Sequence, residues 1–491
     1  MPSPPTPPAP AAPRPGAASW HAAPTRVTSV AIALTLVVGL VAAGVKTMGD
    51  DGPPHPARWD PRVAELADFV EQARGLDYDH PVAVDFLSPA EYTKASIGDS
   101  ADLAADEIAD LDRSVEQLRG LGVVSGELDL AGTLDQVTDS GTLAFYSPDD
   151  ERIRVRGTEM SVGLQVTLVH ELAHALQDQH FDLGQLINDS DDSSESTAHR
   201  GLGEGDALRI EDEYIDQELT EEETAAYDEE YAGEVATSEE ATTDVPPFIE
   251  ATFAAPYALG APFVTMLFDD GGNRAVDEAF RDPPFTEEHL FDPASYLAHE
   301  GAAKTDLDLG DVKVVDEGPF GSPSWFLVLG ERIDPNVAFT ATIGWGGDHY
   351  AVFERDGATC TRAVFRGDTE RDEDEMQAAI DDWIAALPGG KAKRIDIKGH
   401  PGFDTCDPGP DVDMQVTGRS TDLLVLPNVW GYLEAEAAPD LGPDGSRCFA
   451  AKVLDGISYT DLNDPAKEAA LTEQVGQRAA TAYVACGSGE T

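Results

Sequence analysis

Basic residues are scarce in this chain. It carries 32 Lys and Arg against 93 Asp and Glu, a formal charge of −61. A surface that negative repels a polyanion, which excludes nucleic acid as a partner. It reads as a heavily solvated surface suited to a salty medium, with a preference for basic substrates as the sharper alternative. Cysteine is scarce too. Cys360, Cys406, Cys448 and Cys486 are the only four, and no two form a close CxxC pair. An even number in an exported chain suggests two disulfides. Sequential pairing, Cys360–Cys406 and Cys448–Cys486, is the expected connectivity; four buried free thiols are the alternative.

Other signatures are missing. "GRSTDLL" and the scattered glycine pairs do not make a phosphate loop. The acidic stretch 189–195 lacks the glycine turn and closing glutamate of a regular calcium loop, so it reads as solvated. No internal repeat stands out. Long uncharged apolar runs are also few, and one stands out. Val27 to Val45 has 19 residues without a charge between Arg26 and Lys46. As a helix it spans about 28 Å, close to a bilayer core. Arg14 and Arg26 precede it and "GDD" follows, so the N-terminus is expected in the cytoplasm and the remainder outside. A cleaved signal usually has a shorter core, which favours an uncleaved anchor, although Ala42, Ala43 and Gly44 keep cleavage open.

The 491 residues then divide by texture. Residues 1–26 are a Pro/Ala-rich tail expected to be disordered, 27–45 the membrane anchor and 46–57 a polar linker. From 58 to 308, amphipathic helices surround a strand in "HPVAVDFL" and a hairpin, Leu143–Tyr146 with Arg152–Arg156. Thr158 with Ser161 can start the next helix. Such an edge strand above a site helix could hold an extended peptide by strand addition. Residues 211–244 are acidic and read as a solvated helix plus flexible linker. "PPFIEATFAAPYALGAPFVTMLFDDGG" reads as a core helix interrupted by prolines. From 309 to 491 we expect an α+β region, with "VKVV", "WFLVLG", "AFTATIGW" and "HYAVFER" as strands and "DEDEMQAAIDDWIAAL" as a helix.

What is present is "TLVHELAHALQDQHFDL", residues 167–183. HExxH arises by chance in a chain of this size about 2% of the time. Here apolar residues surround it and no Gly or Pro interrupts 164–183. On a helix, His170 and His174 lie about 40° apart and one turn along, so two imidazoles can face one cation. Glu171, beside that face, can serve as general base without being a ligand. Zinc suits two imidazoles plus a carboxylate.

The third ligand needs weighing. His180 gives the spacing HExxHxxxxxH, but that pattern requires a sharp turn at the eighth position, where this chain has Gln177. On a continuing helix His180 is about 280° around from His170 and roughly 15 Å along, out of reach. Glu195 has a thermolysin-like spacing but sits where a helix cap is expected. Glu204, flanked by Gly203, Gly205 and Ala207, can approach closely from a crossing helix. We select Glu204, with Glu195, His199 and His180 as alternatives.

"HELAHALQDQHFDL" followed by "GEGDA", with "PYALGAPFV", "AVDEAFRDPP" and "TEE", resembles bacterial HExxH proteins related to gluzincin-type zinc metallopeptidases. The resemblance covers roughly residues 58–300 and, more weakly, "GWGGDHYAVF". It implies an α+β, zincin-like domain with a small sheet, a site helix and a ligand helix. It implies zinc held by His170, His174 and Glu204, with Glu171 as catalytic base and a peptide or protein as substrate. Thermolysin-like enzymes place an orienting aspartate four residues after the glutamate ligand. Leu208 stands there, leaving Asp178 or Asp206 to orient a histidine. Tyr257 and His289 are candidate oxyanion donors by residue type alone. The expectation is a membrane-anchored extracytoplasmic zinc peptidase. The rival is an inactive zincin-like envelope binding protein acting through 309–491.

Overall fold

The computed structural model describes residues 53–97, 104–140, 143–190 and 192–487. The tail, the apolar run 27–45 and most of the linker lie outside them. The chain is a mixed α+β protein with two small sheets. Its first half runs α1 (Ala64–Arg74), β1 (Ala83–Leu87), α2 (Pro89–Ser96), α3 (Ala105–Leu121), α4 (Leu130–Asp139), β2 (Ala144–Ser147) and β3 (Arg152–Arg156). There follow α5 (Val162–Phe181), α6 (Leu183–Asn188), α7 (Ser193–Glu218), α8 (Glu221–Ala241), α9 (Pro247–Gly271), α10 (Asn273–Arg281), α11 (Glu288–Phe291) and α12 (Pro293–Leu297). The second half holds β4 (Val314–Gly318), α13 (Ser322–Gly330), α14 (Pro335–Thr342), β5 (Trp345–Arg355), β6 (Ala358–Gly367), α15 (Glu370–Ala386), β7 (Lys393–Ile397) and β8 (His400–Cys406). It ends in α16 (Ser420–Leu423), α17 (Val425–Leu454), α18 (Tyr459–Leu462) and α19 (Glu468–Gly487).

The first sheet has the order β1-β3-β2. β1 is parallel to β3, with Ala83 opposite Arg152, and β2 completes the expected hairpin as the edge strand. The second sheet is antiparallel, in the order β4-β5-β6-β8-β7. Cys360 and Cys406 face each other across β6 and β8 and are paired, as are Cys448 and Cys486, the connectivity expected from their order.

Two expected strands are helices. "WFLVLG" lies in α13 and most of "AFTATIGW" in α14. Each helix opens with a proline in its first turn, and Asp334 caps α14 by accepting from Asn336 N. A short, continuously apolar run buried on all sides has no period that separates strand from helix. The acidic 211–244 segment is also helical nearly throughout. α7 continues to Glu218, and the Thr220–Glu223 capping box starts α8 at once.

α9 runs unbroken through Pro256 and Pro262. Pro262 has no N–H to donate to Ala258 O. Asn428 Nδ2 donates to that carbonyl instead, at 2.6 Å. By length and apolarity α9 is the one described helix that could cross a membrane, yet most of it is buried inside the fold. α9 crosses α7 at glycines. A Cβ on Gly205 would stand 2.2 Å from Gly260 O, and one on Gly260 2.0 Å from Gly201 O.

One hydrophobic cluster runs from Val115 through α9, α13 and α17 to Ala482, so the packing crosses residue 308 without a break. α3 docks on the second sheet, where Arg119 pairs with Asp407 and Thr405 Oγ1 donates to Gly120 O. A second cluster joins α1, the first sheet, α5 and the part of α7 around Ala207–Ile215. It backs the histidine helix.

Candidate metal centre

α5 starts where Ser161 Oγ accepts from Leu164 N, and it is buried from Leu164 to Gln177 except at a few positions. Its i, i+4 spacing sets the His170 and His174 rings edge to face, centroids 4.7 Å apart, with their Nε2 atoms 3.1 Å apart. α7 crosses above and brings Glu204 Oε2 to 3.1 Å from His170 Nε2 and 3.2 Å from His174 Nε2. Four-coordinate ligands at 2.0–2.1 Å from one ion stand roughly 3.3 Å apart. The three atoms therefore fit around a single cation. All three side chains are at most 7% exposed.

Each ring is held from behind. His170 Nδ1 lies 3.1 Å from Glu211 Oε2, and His174 Nδ1 lies 3.0 Å from Gln177 Oε1. When the rings are neutral, these acceptors hold the ring proton on Nδ1 and turn the Nε2 lone pair to the centre. The Gln177 amide donates to Gly203 O and Asp206 Oδ2, both at 3.0 Å. Asp206, fully enclosed, also accepts from Arg74 at 2.8 Å and Arg209 at 3.1 Å. Of the two aspartates weighed from sequence, Asp206 thus acts through Gln177. Asp178 accepts from Tyr146 Oη at 2.8 Å and Gly184 N at 2.9 Å, away from both rings. Sequence reasoning missed Glu211 and Gln177. The available signal was helical spacing, since Glu211 lies two turns beyond Glu204 and Gln177 one turn beyond His174.

Glu171 is 1% exposed. Its Oε2 accepts from Tyr146 N at 2.6 Å, while Oε1 is enclosed with no hydrogen-bond partner. Burial raises its pKa to about 7, against the pull of His170 and His174. That is a useful range for a group that must take and return a proton near neutrality. Tyr146 sits on edge strand β2, so one N–H that a strand-adding peptide could use is already spent on Glu171.

The remaining candidates separate. The Tyr257 ring lies nearly parallel to that of His170, centroids 6.5 Å apart. His289 bonds Glu300 O at 3.1 Å and packs on Phe285 and Tyr296. His180 bonds Asp77 O at 2.8 Å, a structural role. Glu195 lies in the first turn of α7, next to the cap made by Asp192. His199 bonds Leu186 O and Ser190 Oγ. A further cationic side chain sits one turn before Glu204. Arg200 Nη2 is buried without a hydrogen-bond partner, and the guanidinium feels the charge of Glu204.

Protons hold this cluster together when no metal does. Burial pulls the His170 imidazolium down, but hydrogen bonds to Glu204 and Glu211 outweigh it and raise its pKa to about 10. His174 is raised by Glu204 in the same way, against burial. Burial pushes Glu204 up, and the two imidazoles outweigh it, leaving its pKa at about 2. A cation must therefore displace imidazole protons. If a metal ion binds here, its uptake at pH 7 is expected to release about one proton per ion, from His170, with apparent affinity rising as pH climbs toward 10. Calorimetry in two buffers of different ionisation enthalpy measures this; equal heats in both would contradict it.

No family model, curated protein or solved structure matches the chain.

Proposed function

We propose that this chain is a zinc-dependent peptidase, anchored through residues 27–45 with the described residues outside the membrane. The reading is carried by one observation: Glu204 Oε2 lies at equal reach of both Nε2 atoms, with the unpartnered Oε1 of Glu171 on the same helix. The HExxH resemblance supplies the reaction class. The two cysteine pairs are in keeping with an oxidising compartment.

The donor set, two imidazoles and a carboxylate, suits zinc, which supplies Lewis acidity and an acidified water. The protein does the rest. Glu211 and Gln177 keep the rings aimed and in one tautomer. Tyr146 N–H pins one Glu171 oxygen, leaving the other to accept the proton of the attacking water. Glu171 then returns that proton to the amine as the C–N bond breaks. Tyr257, whose ring lies beside that of His170, and Arg200, one turn before Glu204, are candidate donors for charge growing on the carbonyl oxygen. Because the triad is so enclosed, productive binding requires local rearrangement around it.

The test is metal-dependent cleavage. Protein stripped of metal is expected to be inactive on an unfolded protein substrate, and one equivalent of zinc is expected to restore cleavage, read by mass spectrometry of the products. Full zinc occupancy with no cleavage of any unfolded protein or peptide mixture would favour a binding protein instead.

A further inference from the structure

A second group of carboxylates lies outside the histidine centre. Glu288, Glu300 and Asp368 each offer an oxygen, and these oxygens lie within 4.8 Å of one another. They come from three places in the chain: α11, the segment after α12, and the turn between β6 and α15. Asp292 and Glu434 adjoin them, and Arg447 is the guanidinium that serves the group. Its Nε donates to Asp292 at 2.8 Å and its two Nη atoms grip both Glu300 oxygens at 2.8 and 2.7 Å.

The balance is uneven. Five carboxyl groups share one guanidinium, and Glu288 receives no hydrogen bond at its Oε2 although the residue is only 2% exposed. Its carboxyl group lies within 4.8 Å of those of Glu300 and Asp368 and feels the charges of both and of Asp292, offset in part by Arg447. An enclosed carboxylate oxygen without a donor, set among other carboxylates, is costly unless a cation or a proton fills the gap. Asp368, at the other side of the group, is exposed, which gives an entry path and room for water ligands.

We propose that Glu288, Glu300 and Asp368 form a calcium site. All-oxygen donors suit a hard cation, and calcium bonds of 2.3–2.6 Å span oxygen separations up to about 5 Å. Bound there, calcium ties α11 and the chain after α12 to the start of α15. It thus joins residues on either side of 308. The site is independent of the zinc reading, because it shares no residue with the histidine centre.

The experiment uses the full chain, depleted of calcium on a chelating resin, and follows thermal unfolding with calcium chloride added at constant ionic strength. That constancy matters because a chain of charge −61 gains from any added salt. At a hundredfold excess over the dissociation constant, the wild type is expected to gain about 3 °C. Glu288→Gln and the exposed-site variant Asp368→Asn are expected to lose most of that gain. Glu204→Ala is expected to keep it, so failure of the histidine centre cannot mimic failure here. If Asp368→Asn and the wild type gain equally, or neither gains beyond the sodium control, the proposal is overturned. A cluster held by protons would show itself by Glu288→Gln matching or exceeding the wild type with no calcium response in either.

Discussion

Replacing Glu171 with glutamine is expected to lower peptide cleavage by about 10²–10⁴-fold while zinc content stays at the wild-type level. The two effects separate because Glu171 is not one of the three atoms converging on the centre. Glutamine has the same shape, so its side-chain oxygen can still accept from Tyr146 N, as Glu171 Oε2 does at 2.6 Å. What it cannot do is take a proton from water and hand it on. Folding should change little, since burial already holds the Glu171 carboxyl near neutrality, at about 7, and an amide is neutral throughout. Initial rates on an unfolded protein substrate, alongside zinc content and the unfolding midpoint, read all three quantities. Cleavage by Glu171→Gln at the wild-type rate would end the proposed mechanism. Loss of zinc together with activity would instead place Glu171 among the ligands.

Glu204→Ala is expected to abolish stoichiometric zinc binding. Only two imidazoles would remain, and the charge that balances the cation would be gone. The loss of affinity should exceed the roughly 10–100-fold typical of an outer partner, which is the range expected for Glu211→Gln behind His170. Competition with a chromophoric chelator distinguishes the two variants on one scale. Glu195→Ala is the control. Its side chain belongs to the first turn of α7, and the variant should bind zinc as the wild type does. If Glu204→Ala retained wild-type affinity, the carboxylate at 3.1 and 3.2 Å would be an ionic partner of the histidines and no ligand. The proton-held state of the cluster would then be its working form.

Much of the site helix was legible because its determinants are local. Ser161 supplies the cap, the apolar residues around 164–176 bury the helix, and i, i+4 spacing places two imidazoles on one face. The hairpin before it was legible for similar reasons, whereas the cysteine connectivity, one choice among three, joins residues far apart in the chain. By contrast, "WFLVLG" and the run after Asp334 carried no usable period. Their helical state goes with proline-bearing N-termini and burial against both helices and the second sheet, where Trp325 packs on Phe365 and Phe403. Prolines at 256 and 262 suggested an interruption that Asn428, distant in sequence, makes unnecessary at Ala258 O. The change of texture near 308 does not interrupt the packing, because burial of apolar surface recognises no order along the chain.

The sequence by itself determined that two histidines and a glutamate share one buried helical turn, and it narrowed the third partner to Glu204 through the small residues around it. Which atoms meet was decided by the crossing of α7 on α5 and by the glycine contact of α7 with α9. The crossing of α7 on α5 also put Glu211 behind His170, and the packing of α5 under β2 put Tyr146 N–H on Glu171. Hydrogen bonds of this kind depend on distances of about 3 Å between groups far apart in the chain. No spacing rule within one helix contains that information; only the packing of helix against helix and strand supplies it.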